Sequence, residues 1–444
     1  MGRANFDGPT LWEHARRSGM DRRRFLGLLG AGGAAAVLAG CQSSGPARPG
    51  AVNAPTSPTT SLGTKVFAKP EEPLLKVFGT ELGTPWYEQT TFVTPHQQFF
   101  VRNRYPSPVV DPSIWRLKVV GDAVGQPLDL GYDDILAMPA LHAPRVIECF
   151  GNGRTVNREQ LGYQVMGGNW GFSDASQGEW DYVPIREILA RARPKAEAVA
   201  MLFWSGVDGP DTGRPMPMSE ILARPDAIGL AFGLHGQPLT PDHGGPVRAL
   251  VPGWGGAASV KWLTEINIST RRFWTRMHTK EEALVGSDYP PEKPVGGDEF
   301  RGAVASDIRG IGGTWQNVKS WLTLPYVMRK SEPPGRYRLA QGEVPVLKAG
   351  RQEIRGYANS PRGITKVDYS VDDGRTWQAA TLVPPTDLEY SWVRFRFDWD
   401  PTPGMHFLKT RATDREGNVQ PETVPLNEAG ILCNAIARFE VQVD

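Results

Sequence analysis

Pro144-Arg145-Val146-Ile147-Glu148-Cys149-Phe150-Gly151-Asn152-Gly153-Arg154 is the stretch on which the reading of this chain turns. A short apolar run ends in a cysteine and a Gly-Asn-Gly turn follows, a pattern that predicts a strand delivering one thiol to a loop. Arg145 and Arg154 flank that thiol, and neighbouring cations favour the thiolate. A thiolate is a soft donor suited to a metal centre, or it acts as a nucleophile. A single cysteine on its own is more often a small buried hydrophobe, so its surroundings decide the matter.

Working outward, the segment 98–104 reads as a short strand running into a basic turn that carries Arg102 and Arg104. Trp115, Leu117 and Val119 alternate with Arg116 and Lys118, which predicts a half-buried strand. Tyr132 to Met138 reads as a short helix. Residues 155–182 are rich in Gly, Asn and Trp without a clear period, and are expected to form a long functional loop. Val183 to Ala192 predicts a helix, and Ala198 to Trp204 an apolar strand stopping at Ser205-Gly206-Val207-Asp208-Gly209-Pro210. From Pro241 to Leu263 an apolar strand, Val247 to Val251, lies between two glycine-rich turns, with His243, Arg248 and Lys261 nearby. After about Gln316 the character becomes all-β. Val367, Tyr369 and Val371 alternate with polar residues before an Asp373-Gly374 turn. Val393, Phe395, Phe397 and Trp399 alternate likewise, as do Phe439, Val441 and Val443, a spacing that predicts a β-sandwich of about a hundred residues.

At 444 residues two or three domains are expected. With 49 basic and 48 acidic residues, nothing points to nucleic acid. The 39 prolines and 50 glycines favour short strands and loops, and three cysteines exclude a disulfide framework. Residues 1–41 read as a processing segment. Asp21-Arg22-Arg23-Arg24-Phe25-Leu26 resembles a twin-arginine export signal, and Leu38-Ala39-Gly40-Cys41 resembles a bacterial lipobox with Cys41 as the lipidated residue, the alternatives being a plain cleaved peptide or a start site placed about twenty residues too far ahead of Asp21. The apolar run between them is too short for a comfortable membrane span, so contact with a membrane is expected through the lipid anchor only. Residues 42–77 read as a Pro- and Ser-rich linker. Twin-arginine export carries folded proteins, often with a cofactor already inserted.

Arg102, Arg154, Arg248, Lys261 and His243 all fall at strand ends or in glycine-rich turns, where backbone and cationic side chains close around an oxyanion. Each alone is readily a surface ion-pair partner; their concentration around one thiol argues for a shared site. No Cys or His pair has zinc spacing, no Cys-x-x-Cys-His signals covalent haem, and neither a dinucleotide-binding glycine motif nor a P-loop occurs. A Cys149–His243 protease would leave the arginines without a purpose.

The segments FFVRNR (99–104), ECFGNGR (148–154), PDHGGPVRALVPGWGGAASVKWL (241–263) and VDYSVDDGRTWQ (367–378) together resemble the sulfite oxidase family of molybdenum enzymes, over about residues 85 to 444. The resemblance implies an α+β fold: a molybdopterin-binding core, placed at 78–316, followed by an immunoglobulin-like β-sandwich dimerisation domain at 317–444. It implies Mo-molybdopterin as cofactor and Cys149 as the metal's thiolate ligand. Arg102 and Arg154 match oxyanion-pocket cations, and Trp180 a pocket tryptophan. Phe100, Val101, Arg102, Asn103, Arg104, Asp208, His243, Arg248, Ser259, Val260 and Lys261 match positions that hold the pterin and its phosphate. Arg104 stands where the family usually has histidine, and Thr279 where sulfite oxidases usually have an active-site tyrosine; Tyr289 is a candidate to substitute. The stretch 273–279 is similar to the sulfane dehydrogenase branch. The expectation is an exported enzyme that oxidises sulfite or a related sulfur compound by oxygen-atom transfer, works as a homodimer and passes electrons to a separate c-type cytochrome. An S- or N-oxide reductase on the same cofactor and a cofactor-free binding lipoprotein are the alternatives.

Overall fold

The computed structural model describes residues 59–61, 75–78, 81–168, 170–207, 212–324 and 344–444. The export signal, Cys41, most of the linker and Asp208 lie outside the described residues.

The thiol-bearing strand, Leu141–Glu148, is the edge of an antiparallel sheet. It pairs along its whole length with Ala175–Pro184, which pairs with Gly229–Leu234, and Arg248–Leu250 adds to that strand in turn. The two cluster segments of the sequence, around Cys149 and around Arg248, are thus brought onto one sheet. A second five-stranded sheet runs in the order Gly213–Pro217, Ala200–Trp204, Glu265–Ser269, Arg116–Val120, Leu128–Gly131. Leu117, Val119, Met201, Phe203, Ile266 and Ile268 are all fully buried there. The helices are short, Tyr132–Leu136, Ile185–Ala192 and Met218–Ala223 among them.

The expected long loop at 155–182 is corrected. Arg154–Glu159 is a helix, and Ala175–Pro184 is a ten-residue strand with every residue buried except Glu179. A strand covered on both faces loses the alternation by which half-buried strands are recognised. Its polar members are satisfied inside instead: Ser176 Oγ accepts from Phe100 N at 3.1 Å, and Gln177 Oε1 accepts from Trp392 N at 2.9 Å.

The C-terminal region is a sandwich of two sheets. One orders Lys319–Leu322, Gln352–Asn359, Val393–Trp399 and Thr381–Val383; the other orders Val346–Leu347, Arg438–Val443, Gly404–Asp414, Ile364–Ser370 and Gln378–Ala379. Val393, Phe395, Phe397 and Trp399 all point into the core while Arg396 and Asp398 face water. Trp86, Val146, Val156 and Phe172 of the preceding region join the same apolar cluster as Trp321, Trp392 and Phe439. Phe172 stacks on Trp321 with centroids 5.8 Å apart. The sandwich therefore packs directly against the structure that carries the thiol.

Candidate active site

Cys149 leaves the end of its strand in a turn fixed from both sides. Its N–H donates to Asp174 O at 2.9 Å, and Asn152 N donates back to Cys149 O at 3.2 Å. Below it, Glu148 is 1 % exposed and fully engaged: Oε1 accepts from Lys319 Nζ at 2.7 Å and Asn152 Nδ2 at 2.9 Å, and Oε2 accepts from Asn359 Nδ2 at 2.8 Å. Lys319 and Asn359 come from the sandwich, so the C-terminal domain holds the thiol turn in register. Gly153, at φ +87°, supplies the left-handed step that starts the helix at Arg154, where a Cβ would lie 3.2 Å from Cys433 O.

The thiol opens into a cleft of about 760 Å³, open solvent at its mouth included. Phe100, Arg102, Asn103 and Arg104 line it from one side, and His243, Arg248, Ser259, Val260 and Lys261 from another. Lys261 Nζ reaches across the cleft wall, donating to Asn103 Oδ1 and Asp242 O, each at 2.5 Å. Gly244, at φ +90°, makes room for it: a Cβ there would meet Lys261 Cβ at 2.7 Å.

Arg248 is the most telling residue of the wall. It is 3 % exposed, rests over the Trp180 ring at 5.4 Å, and donates only to carbonyls: Ser259 O at 2.7 Å, His243 O at 3.1 Å and Ala249 O at 3.4 Å. Among the described residues no carboxylate offsets it, and burial depresses its pKa to about 9. A buried guanidinium in this state is stabilised by a bound phosphate, whose geometry it matches. With a soft sulfur donor in the same cleft, the residues present fit a phosphate-bearing metal cofactor.

Cys149 itself is half-buried, and desolvation pushes its pKa well above the ordinary thiol value, helped by Asp174 and Glu282 and opposed by Arg102 and the Gly151 N–H. The expectation that Arg145 and Arg154 activate it is corrected. Arg145 turns to the carbonyls of Pro144 and Glu389, each at 3.0 Å. The cation beside the thiol is Arg102, which burial opposes but which Cys149, Glu282, Glu81 and Glu281 together hold above its usual pKa. A thiol so desolvated is a poor free nucleophile and a good ligand, because a coordinated metal deprotonates it outright.

Further sequence expectations are relocated. Arg154 does not line the cleft; its fork donates to Ala429 O at 2.9 Å and Gly168 O at 3.0 Å, pinning two loops, although Glu81 and Glu282 feel its charge. Trp180 is fully buried under Arg248, and its indole N–H donates to Arg145 O at 3.2 Å, because the strand register turns it into the core. Val101 is buried and offers the cleft no side chain. Thr279 is buried with its hydroxyl unpartnered, and neither it nor Tyr289 lines the cleft. Glu282 does line it and was missed: it follows a stretch read only for its threonine, and no spacing signal singles out the second of two adjacent glutamates.

Residues 104–277 match the family model described as oxidoreductase molybdopterin binding domain, and residues 338–444 match the Mo-co oxidoreductase dimerisation domain. Mitochondrial sulfite oxidase of Homo sapiens is 32% identical over 370 residues, covering 79% of this chain and 62% of that protein. Nitrate reductase [NADH] 1 of Oryza sativa subsp. japonica is 27% identical, covering 79% of this chain and 38% of that protein. The chain therefore spans less than two thirds of the length of these relatives. Among solved structures, the sulfane dehydrogenase SoxCD of Paracoccus pantotrophus superposes with a TM-score of 0.65 at 25% identity, over 82% of this chain and 84% of that one.

Proposed function

The chain belongs to the sulfite oxidase family of molybdopterin-dependent oxidoreductases, and from that premise we propose that it oxidises a small sulfur compound by oxygen-atom transfer. The observation that carries the reading is a lone thiol sharing one cleft with a buried guanidinium that no carboxylate among the described residues offsets. In this reading Cys149 is the thiolate that holds the metal. Arg248, Lys261, His243, Ser259, Phe100, Asn103 and Arg104 hold the pterin and its phosphate. When bound, molybdopterin supplies a metal centre that exchanges an oxygen atom and two electrons with the substrate. The chain's own residues do the rest. Arg102 orients an anionic group beside the thiol. Arg154 and the buried Arg214, whose charges both act on the cleft-lining Glu282, add positive potential, Phe99, Phe100 and Ile147 exclude water, and the Gly151 N–H, 3.5 Å from the Cys149 sulfur, tunes the ligand.

Support for a sulfur substrate comes from the names of the human and Paracoccus relatives. We further infer a catalytic part at 78–316 and a dimerising part at 317–444, a homodimer, and a separate c-type cytochrome as electron acceptor. The export motif and Cys41 support twin-arginine transport to the periplasm or cell surface and a lipid anchor. A second reading, reduction of an oxide on the same cofactor, is favoured by the likeness to plant nitrate reductase. Mixing the purified protein anaerobically with sulfite or thiosulfate and oxidised cytochrome c tests the choice. Cytochrome reduction is the expected result. Re-oxidation of a reduced viologen by an S- or N-oxide, with no cytochrome reduction, would establish the second reading instead.

A further inference from the structure

Glu281 and Glu282 are adjacent in sequence and opposite in circumstance. Glu281 is paired by Arg104 at 2.9 Å and Arg276 at 3.1 Å; burial works against its charge, yet these guanidiniums hold its carboxyl below the ordinary value. Glu282 is 6 % exposed and lines the cleft with Cys149 and Arg102. Its carboxyl has no hydrogen bond or ion pair among the described residues, and burial pushes its pKa up against the pull of Arg102, Arg154 and Arg214.

The backbone, rather than a side-chain partner, keeps it there. Met277–Glu281 forms a π-helical turn, a widened turn that re-aims the residue following it. Glu282 N donates to Met277 O at 3.0 Å, and Gly313 N donates to Glu282 O at 2.7 Å. Among the described residues it is the one carboxylate lining the cleft. Arg102 also has Glu81 Oε1 at 3.5 Å, so the cation beside the thiol already stands among carboxyls before any substrate arrives.

We propose that Glu282 is a substrate-selecting residue: its carboxyl, sharing the cleft with Arg102 and Cys149, makes the site accept a singly charged or neutral sulfur group that carries a proton and reject a fully ionised dianion. A carboxylate repels a dianion with twice the Coulomb energy it exerts on a monoanion at the same distance. It also accepts a hydrogen bond from an O–H or S–H, which a dianion lacks. Hydrogen sulfite and a sulfane S–H end both meet that description, and fully ionised sulfite does not. A site for a bare dianion is better served by a neutral side chain at this position.

The inference rests on the molybdopterin reading, so its test keeps the two separable. The purified holoprotein and its Glu282→Gln variant are titrated by calorimetry in alkaline buffer with sulfate, an unreactive dianion, and with methanesulfonate, an unreactive monoanion. The variant is expected to bind sulfate about tenfold more tightly and methanesulfonate within about threefold of the parent. Adding Arg102→Met should abolish the gain, which places the probe beside the thiol. Unchanged sulfate affinity in Glu282→Gln, or a gain that survives Arg102→Met, overturns the proposal. Molybdenum measured on the same samples reports on the cofactor assignment independently of either anion.

Discussion

Arg248 joins the chemistry of this protein to its stability. A guanidinium buried over Trp180 with, among the described residues, only carbonyls as hydrogen-bond partners is a cost to the cofactor-free chain, and replacing such a charge with an apolar group of similar length is often stabilising. Arg248→Met is therefore expected to raise the stability of the cofactor-free protein by about 1 kcal/mol while the protein purified from a cofactor-producing host retains less pterin. Thermal unfolding and pterin fluorescence on the paired preparations check this; a fall in stability together with full retention would remove Arg248 from the phosphate site. Cationic residues in glycine-rich turns were legible in the sequence because turn chemistry is local. Where each side chain ends was not. Arg154 sits one turn from the thiol in sequence, yet the carbonyls of Gly168 and Ala429 claim its fork. Trp180 belongs to a strand whose register only the sheet determines.

At the scale of elements, the thiol strand depends on what lies at its two ends. At its C-terminal end the buried Glu148–Lys319 pair ties the Cys149 turn to the first strand of the sandwich. Lys319→Met leaves a carboxylate buried without its cation and is expected to destabilise the protein by about 3–5 kcal/mol, read as a lowered melting temperature; a change within about 1 kcal/mol would show the pair to be dispensable. At its N-terminal end His142 faces Asp181 across the sheet, Nδ1 to Oδ1 at 2.9 Å, and this hydrogen bond raises the imidazole pKa above its ordinary 6.5. A raised histidine contributes stability that is fully present below 6.5 and lost as pH rises through the folded value. His142 is half exposed, so the contribution is below about 1 kcal/mol. The melting temperatures of the parent and His142→Asn should differ in acid and converge in alkali; a difference that grows with pH would reverse the assignment. Strands with one wet face, such as Val393–Trp399, could be read directly from period-two alternation. Ala175–Pro184 could not, because both of its faces are covered and its buried Ser176 and Gln177 imitate a loop composition.

At the scale of the molecule, a sheet-built core carries the thiol, and a sandwich reaches beneath it through Lys319 and Asn359. The match of residues 338–444 to a dimerisation domain leads to the expectation of twice the single-chain mass by light scattering; a monomer at micromolar concentration would separate the sandwich's support of the thiol turn from any role in assembly. The account depends most on the thiol and the buried cation serving one cofactor. The measurement that tests it most directly is elemental analysis of the purified protein, expressed in a host that makes molybdopterin, beside its Cys149→Ser variant. About one molybdenum per chain with pterin fluorescence in the parent, and loss of the metal in Cys149→Ser, is the predicted result. Metal-free parent protein from that host, or equal molybdenum in both, would contradict it.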